Sequence, residues 1–500
     1  MLEFGEWLPD QAAYASAGAS DAKGVIPLTT SSYGPLNGLS TVIDAQPEQQ
    51  FGAAALRESD GTINVFCGDA DDLYILTTTV FDEISSSTGA YTTAAGDFID
   101  IIQYGDRCIT VNGHTDNPQT YLMGTDSVFS DLGGMPPQAK CAAVINNFVM
   151  LGNLDVGGTV TPNAVQWCAI DDPTDWPTLG SADAAAKQSD SQNLAEGWDV
   201  QRIVGAVGGA DGAVFMRNAV YRVTYVGSPL VMSFQVVEKS RDTIAPRSVI
   251  NVGAQAFFIA EDGFYSFDGT QSVGIGAQKV DQYFLDDLDW NYLYNISAAA
   301  DPVNKIVMWT YPGVGNLDGF PNRQIMYNWQ TGRWSRAEES VATIYNNLAV
   351  GYSLDQLDTF GTLDSLTTSL DDRSWIGGLK TLAGFSSTHR LSTFTGAPVA
   401  ATVCTTEFGG NELFQKPNER LYVDGIRPHV DGGTVTVSLE YRDSPQGTLS
   451  TDGPTVVDTN GMAGFTRSCR YARATVDIAA GSTWSHAQGV DIDASEDGEF

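Results

Sequence analysis

A short hairpin built on an Asp-Gly turn recurs along the chain, and the interval between its copies limits the fold more than any other feature. The clearest copy is Ala254 to Gly276, AQAFFIAEDGFYSFDGTQSVGIG. Phe257, Phe258 and Ile259 form an apolar run of strand length. Asp262-Gly263 supplies the residue pair favoured where a tight turn needs positive φ, and Phe264 to Phe267 returns to a second Asp-Gly at 268–269. The apolar residues are adjacent rather than alternating, so both faces of each strand need cover. A stack of small sheets gives that cover, and a single solvated sheet does not.

The same plan is legible six more times. It appears as DGTINVFCGDADDLYILTT at 60–78, GDRCITVNGHTDNPQTYLMGT from Gly105, and NNFVMLGNLD from Asn146, whose return strand AVQWCAIDDPTDW follows the Gly-rich interruption GGTVTPN. Further copies are DGAVFMRNAVYRVTYVGSP from Asp211, NKIVMWTYPG with RQIMYNWQTGRWSR at 304–336, and LKTLAGFSSTHRLSTFTGAP at 379–398. Most spacings are roughly 40 to 50 residues, the period of four-stranded propeller blades. The expectation is therefore an all-β chain: a β-propeller of about seven blades, six being the alternative, over 36–400. Helical solenoids are excluded by the near absence of 3.6-residue periodicity, KVDQYFLDDLDWNYLY at 279–294 being the best helical segment. Two long polar stretches, TLGSADAAAKQSDSQNLAEGWD and SLDQLDTFGTLDSLTTSLDDRSWIGG, read as loops.

Beyond about Ala400 the pattern changes to clean alternation. Val435, Val437, Leu439 and Tyr441 face one way against Thr434, Thr436, Ser438, Glu440 and Arg442. Ala472, Ala474, Val476 and Ile478 behave likewise, as do Val490, Ile492 and Ala494. Residues 401–500 are thus expected to form a small β-sandwich-like domain with half-buried antiparallel sheets. At the other end, residues 1–35 read as an N-terminal arm. Its large groups Phe4, Trp7, Leu8 and Pro9 either tuck onto their own domain, which is favoured, or dock on a partner.

Charge narrows the function classes. The 500 residues carry 26 basic and 61 acidic side chains, a formal net charge of −35, with no basic run for gripping a phosphate backbone. The surplus fits solubility, a saline medium, or a surface that lets a polyanion pass without sticking, and charge alone does not choose among these. No apolar run spans a bilayer and the N-terminus has no secretory pattern, so synthesis in a cytoplasm is expected. Six scattered cysteines without a CxxC pair predict buried free thiols.

Catalytic motifs are wanting: there is no GxxxxGK[ST], HExxH or GxSxG. His114, His389, His429 and His486 have no ligand-type spacing. Asp69, Asp71 and Asp72, or Asp171, Asp172 and Asp175, offer oxygens to calcium without the spacing of an EF-hand, and turn chemistry accounts for them equally. Glu58 to Thr62 only grazes the Asp box of sialidase-like propellers. Trp329 and Trp334 suit sugar stacking but serve more simply as packing. No catalytic, cofactor or metal residue is therefore assigned.

The stretches EWLPDQ, DGFYSFDG, NAVYRVTYVGSP, YNWQTGRWSR and RYARATVDIAAGSTWSHAQGVDIDA resemble tail proteins of short-tailed bacteriophages, in particular the nozzle, tail tubular B and packaged-DNA stabilisation proteins. The resemblance covers most of the chain through loose motifs. It implies a non-enzymatic virion protein without cofactor, a homohexameric ring below portal and tail adaptor, contacts with tail fibre or tip proteins, and passage of DNA without sequence-specific binding or membrane insertion. The rival is a monomeric propeller that binds carbohydrate or acts as a glycosidase, whose mechanism needs two carboxyl groups across a central pocket.

Overall fold

The seven recurring hairpins are the second and third strands of seven four-stranded antiparallel blades in a computed structural model, six of the blades being separate sheets and the remaining one part of a ten-stranded sheet. The structure describes residues 1–500 apart from 13–17, 44, 78–79, 317, 349–377, 379, 416–418 and 498–500. The loop read at 353–378 lies almost wholly outside the described residues. In the fifth blade, Gln255–Ala260 pairs with Gly263–Phe267 and Ala260 faces Gly263. The two turn residues are thus Glu261 and Asp262, while Gly263, with φ of +134°, opens the return strand. The positive φ expected of the Asp-Gly pair falls on the glycine alone, which has no Cβ to oppose it.

What the hairpin pattern does not reveal is the first strand of each blade. These strands are Gly52–Arg57, Asp100–Tyr104, Gln138–Ile145, Val200–Val207, Ile250–Val252, Ser297–Asp301 and Val341–Leu348. They stand around a common axis, most against the first strand of the next blade, and Val341–Leu348 lies against Gly52–Arg57 to close the ring. Polar side chains tie neighbours together near the axis. Asp100 accepts from the Ala142 N–H at 3.0 Å, Asn251 donates to the Gly205 carbonyl at 2.7 Å, and Asn346 accepts from the Ala300 N–H at 2.7 Å. The blade count is seven, not six.

Closure depends on both ends of the propeller segment. The seventh blade takes three strands from Val341–Leu348, Lys380–Ser386 and Leu391–Thr393, and its fourth is Ser40–Thr41 from the beginning of the chain. Backbone bonds from Val42 to Leu391 and from Gln46 to His389 lengthen this seam. Between blades the apolar faces meet as aromatic pairs: Phe66 with Tyr121 at 5.6 Å, Phe215 with Phe258 at 5.1 Å and Phe81 with Phe385 at 6.0 Å. Each pair joins different blades, which is why adjacent apolar residues in a strand are tolerated and needed.

Two expectations are corrected. The segment 178–199 is not merely a loop: it holds the helix Ala182–Lys187 and the strand Asp190–Asn193, the outer strand of the third blade. An outer strand exposed on most of its residues has no apolar alternation to betray it. In the same blade GGTVTPN is not an interruption, because Gly157 and Gly158 make the turn and the return strand begins at Thr159.

The C-terminal residues form two sheets that share one core. One comprises Val25–Pro27, Tyr33–Pro35, Ala487–Glu496, Leu421–Val430 and Ala463–Cys469, with Leu2–Glu3 on Ala487–Glu496. The other contains Asp21–Lys23, Ala401–Cys404, Tyr471–Ile478, Val435–Arg442 and Ser450–Val456. Val437, Leu439, Ala472, Ala474 and Val476 are buried against Val423, Ile426 and Val490, as the alternation requires. The arm strands belong to these sheets. Asp21–Lys23 also pairs in parallel with the outer strand of the sixth blade, Lys23 beside Arg336, so one ten-stranded sheet runs from that blade into the sandwich. No helix among the described residues is long and apolar enough to cross a membrane.

Candidate functional site

Where the inner strands converge on the axis, the first blade presents the short side chains of Gly52, Ala53, Ala54 and Ala55. The space they leave is an axial cavity of about 350 Å³, lined also by Ser297, Ala298, Thr343 and Asn346. Three cations reach it, Arg202, Arg247 and Lys380, against one carboxylate, Asp100. Arg202 Nη1 lies 2.8 Å from Asp100 Oδ2, and Asp100 is almost fully buried. The guanidinium also stands over the Phe98 ring, 5.7 Å from its centroid. Burial pushes the Arg247 guanidinium down to about 10, and the charge of Arg202 pushes the same way against the weaker pull of Asp100. Among the described residues lining the cavity Asp100 is the one carboxylate, and it is held in an ion pair.

A second cleft, about 330 Å³, opens where the inner strands begin. Its walls hold Trp290 and Tyr294, both partly exposed, with the ion pairs Lys140–Asp97 at 2.6 Å and Arg217–Asp199 at 2.8 Å. Each cation there is already matched by an acid, unlike the axial group.

The residues singled out from sequence are placed as follows. Phe4 and Trp7 are sealed in the shared core of arm, sandwich and helix Asp281–Asp287, Trp7 meeting Tyr283 edge-on at 5.1 Å. Burial removes both rings from any partner surface, and only Leu8 and Pro9 keep part of theirs. Asp69, Asp71 and Asp72 do converge, with ligand atoms within 4.8 Å of one another. Asp69, however, accepts from the Asp72 N–H at 2.8 Å and the Tyr74 hydroxyl at 2.8 Å, and Asp72 accepts from Ser85 and from the Gly89 N–H. Those bonds complete a turn and engage the Asp69 and Asp72 carboxylates. Asp175 pairs with Lys187 at 2.7 Å and Asp172 caps Thr174. Among the described residues no histidine joins a cluster of three or more ligand-type side chains: His114 bonds the Asn153 carbonyl, His429 bonds Asp491, and His486 lies near Asp431.

Trp334 is fully buried against Phe264, Trp309 and Tyr327, so it packs between blades and has no face for a sugar. All six cysteines are buried free thiols. Arg202 and Arg247 escaped attention in the sequence. The signal was an arginine inside the apolar strand VQRIVGAV, and an Ala-Pro-Arg-Ser step directly ahead of another first strand.

No family model matches the chain, and no curated protein matches it. Among solved structures it is similar to the extracellular domain of a one-component system from B. thetaiotaomicron, with TM-score 0.41 and 11% identity over 86% of this chain and 46% of that one. The chain thus spans about half the length of that protein. It is also similar to a streptogramin B lyase, with TM-score 0.39 and 9% identity over 71% of this chain and 97% of the lyase. A protein of unknown function from Desulfotomaculum acetoxidans aligns with TM-score 0.36 and 12% identity over 61% of this chain and 95% of that one. The chain is an all-β protein whose fold is a seven-bladed propeller followed by a small sandwich.

Proposed function

We propose that the protein is a structural component of a bacteriophage tail, a nozzle subunit that forms a ring, most simply of six copies, beneath portal and adaptor around the DNA exit path. The observation that carries this reading is the use made of EWLPDQ, one of the stretches on which the resemblance rests. Glu6 pairs with Lys279 at 2.6 Å, and Trp7 packs on Tyr283. Asp10 accepts from the N–H groups of Gln282 and Tyr283 at 3.0 and 2.8 Å, and Gln11 donates to the Gln278 carbonyl. The stretch therefore joins arm, sandwich and propeller into one braced body, a role suited to a part that transmits load. Among the described residues the axial cavity offers one carboxylate, already ion-paired, where a glycosidase needs two.

Charge supports the same reading. Many of the few basic residues are already matched, as in Lys23–Glu338, Lys187–Asp175, Arg336–Asp21, Arg442–Glu407 and Arg473–Glu440, which leaves an anionic surface. Such a surface repels DNA phosphates and permits sliding. Size-exclusion chromatography with light scattering, alone and with the adaptor from the same phage, is the test. Ring-sized particles in either sample support the proposal. A strict monomer in both, together with selective binding on a glycan array, overturns it in favour of the carbohydrate-binding propeller.

A further inference from the structure

Among the described residues lining the axial cavity, cations outnumber carboxylates three to one in a protein whose net charge is −35. Two guanidinium groups and an ammonium face a single carboxylate across about 350 Å³, at the low end of the range of ligand pockets, roughly 300–1,000 Å³. Asp100 is already committed: its Oδ2 takes both the Arg202 guanidinium and the Ala142 N–H. Arg202 Nε is buried without an acceptor. Among the described residues no carboxylate pairs with Arg247, which feels Arg202 as a like charge. Burying like charges together costs free energy unless an anion completes the group, and guanidinium forks match the oxygens of phosphate and of carboxylate bidentately.

We propose that the axial cavity is a receptor site for a phosphate group, free or as a small monoester, held between the guanidinium groups of Arg202 and Arg247 with Lys380 at the cavity wall. The site stands apart from the tail assignment, since it needs only the monomeric propeller. Arg202 anchors Asp100, so Arg247 is the residue to change. Its replacement in Arg247→Gln removes one of the like charges and leaves the Asp100 ion pair with Arg202 in place.

The experiment is thermal unfolding and calorimetric titration of the full chain with inorganic phosphate and with glycerol 3-phosphate, at constant ionic strength set with chloride. The wild type is expected to bind at least one of the two with micromolar to low-millimolar affinity and to melt higher when it does. Tighter binding of the monoester identifies an esterified ligand, and tighter binding of inorganic phosphate identifies the free ion. Arg247→Gln is expected to melt no lower than the wild type in chloride and to lose at least tenfold in affinity. An equal response in the variant, or no response of the wild type beyond that to chloride, overturns the proposal. Should Arg247→Gln not fold, Lys380→Gln, at an exposed position, provides the second variant, with a weakening of at least threefold expected and unchanged affinity counting against the site.

Discussion

The carboxylate of Asp281 occupies the space that a β-carbon on Gly263 or Gly276 would need, 2.1 Å and 2.0 Å from its nearest atoms, and accepts the Phe264 N–H at 3.0 Å. The Asp-Gly turn is therefore welded to the start of helix Asp281–Asp287. Alanine at Gly263 would meet both that carboxylate and an unfavourable positive φ, and should cost more than about 1 kcal/mol in urea unfolding. Burial pushes the Asp281 carboxyl up to about 6, against the Phe264 N–H and with the charges of Asp10 and Asp262. Its folded value lies above the ordinary 3.8, so the protonated form favours folding, and stability falls as pH rises from about 4 through about 6. Asp281→Asn keeps an acceptor for Phe264 and should flatten that decline, leaving the variant on the order of 1 kcal/mol more stable at pH 8. Melting curves from pH 4 to 8 check this; parallel declines in both proteins would refute it. Asp262 is a different case, paired with Arg241 and Tyr265 in a mostly exposed turn. Asp262→Asn should change stability by about 1 kcal/mol or less.

Phe264 stands at the centre of one inter-blade cluster, with Phe284, Trp309 and Trp334 at 4.7, 5.0 and 4.9 Å. Phe264→Ala should lower the stability of the fold by roughly 3–5 kcal/mol by denaturant titration. Arg333 fixes the arm in a comparable way. It is buried, donates to the backbone carbonyls of Thr29, Phe4 and Gly5, and stacks on Tyr33 at 4.3 Å. Arg333→Met should cost about 2–4 kcal/mol and make the first 35 residues the first point of protease entry, as read by limited proteolysis. The elements legible in the sequence were those whose burial shows in the residues themselves. The middle strands are apolar throughout, as in Phe257 to Ile259, and the sandwich strands alternate, as in Val435 to Tyr441. The first strand of the opening blade was hidden because Ala53 to Ala55 are short and carry little hydrophobic signature, and the outer strand Asp190–Asn193 because three of its four residues are exposed. The axial cations were illegible for a related reason. Arg202 and Arg247 are 45 positions apart, and the packing of the fourth blade against the start of the fifth brings them to one cavity.

As a whole, the molecule is a closed ring of blades whose last sheet is completed by the start of the chain, braced to a sandwich through the same N-terminal segment. Its net charge of −35 predicts no detectable binding of duplex DNA at near-physiological salt in fluorescence anisotropy. Appreciable binding there would remove the idea of a non-adhesive passage. The virion role is tested most directly by electron microscopy of phage particles in which this protein carries a gold-binding tag. The label is expected as a ring at the tail, below the portal, in full and emptied particles alike. Label absent from purified particles, or confined to the capsid shell, would contradict it.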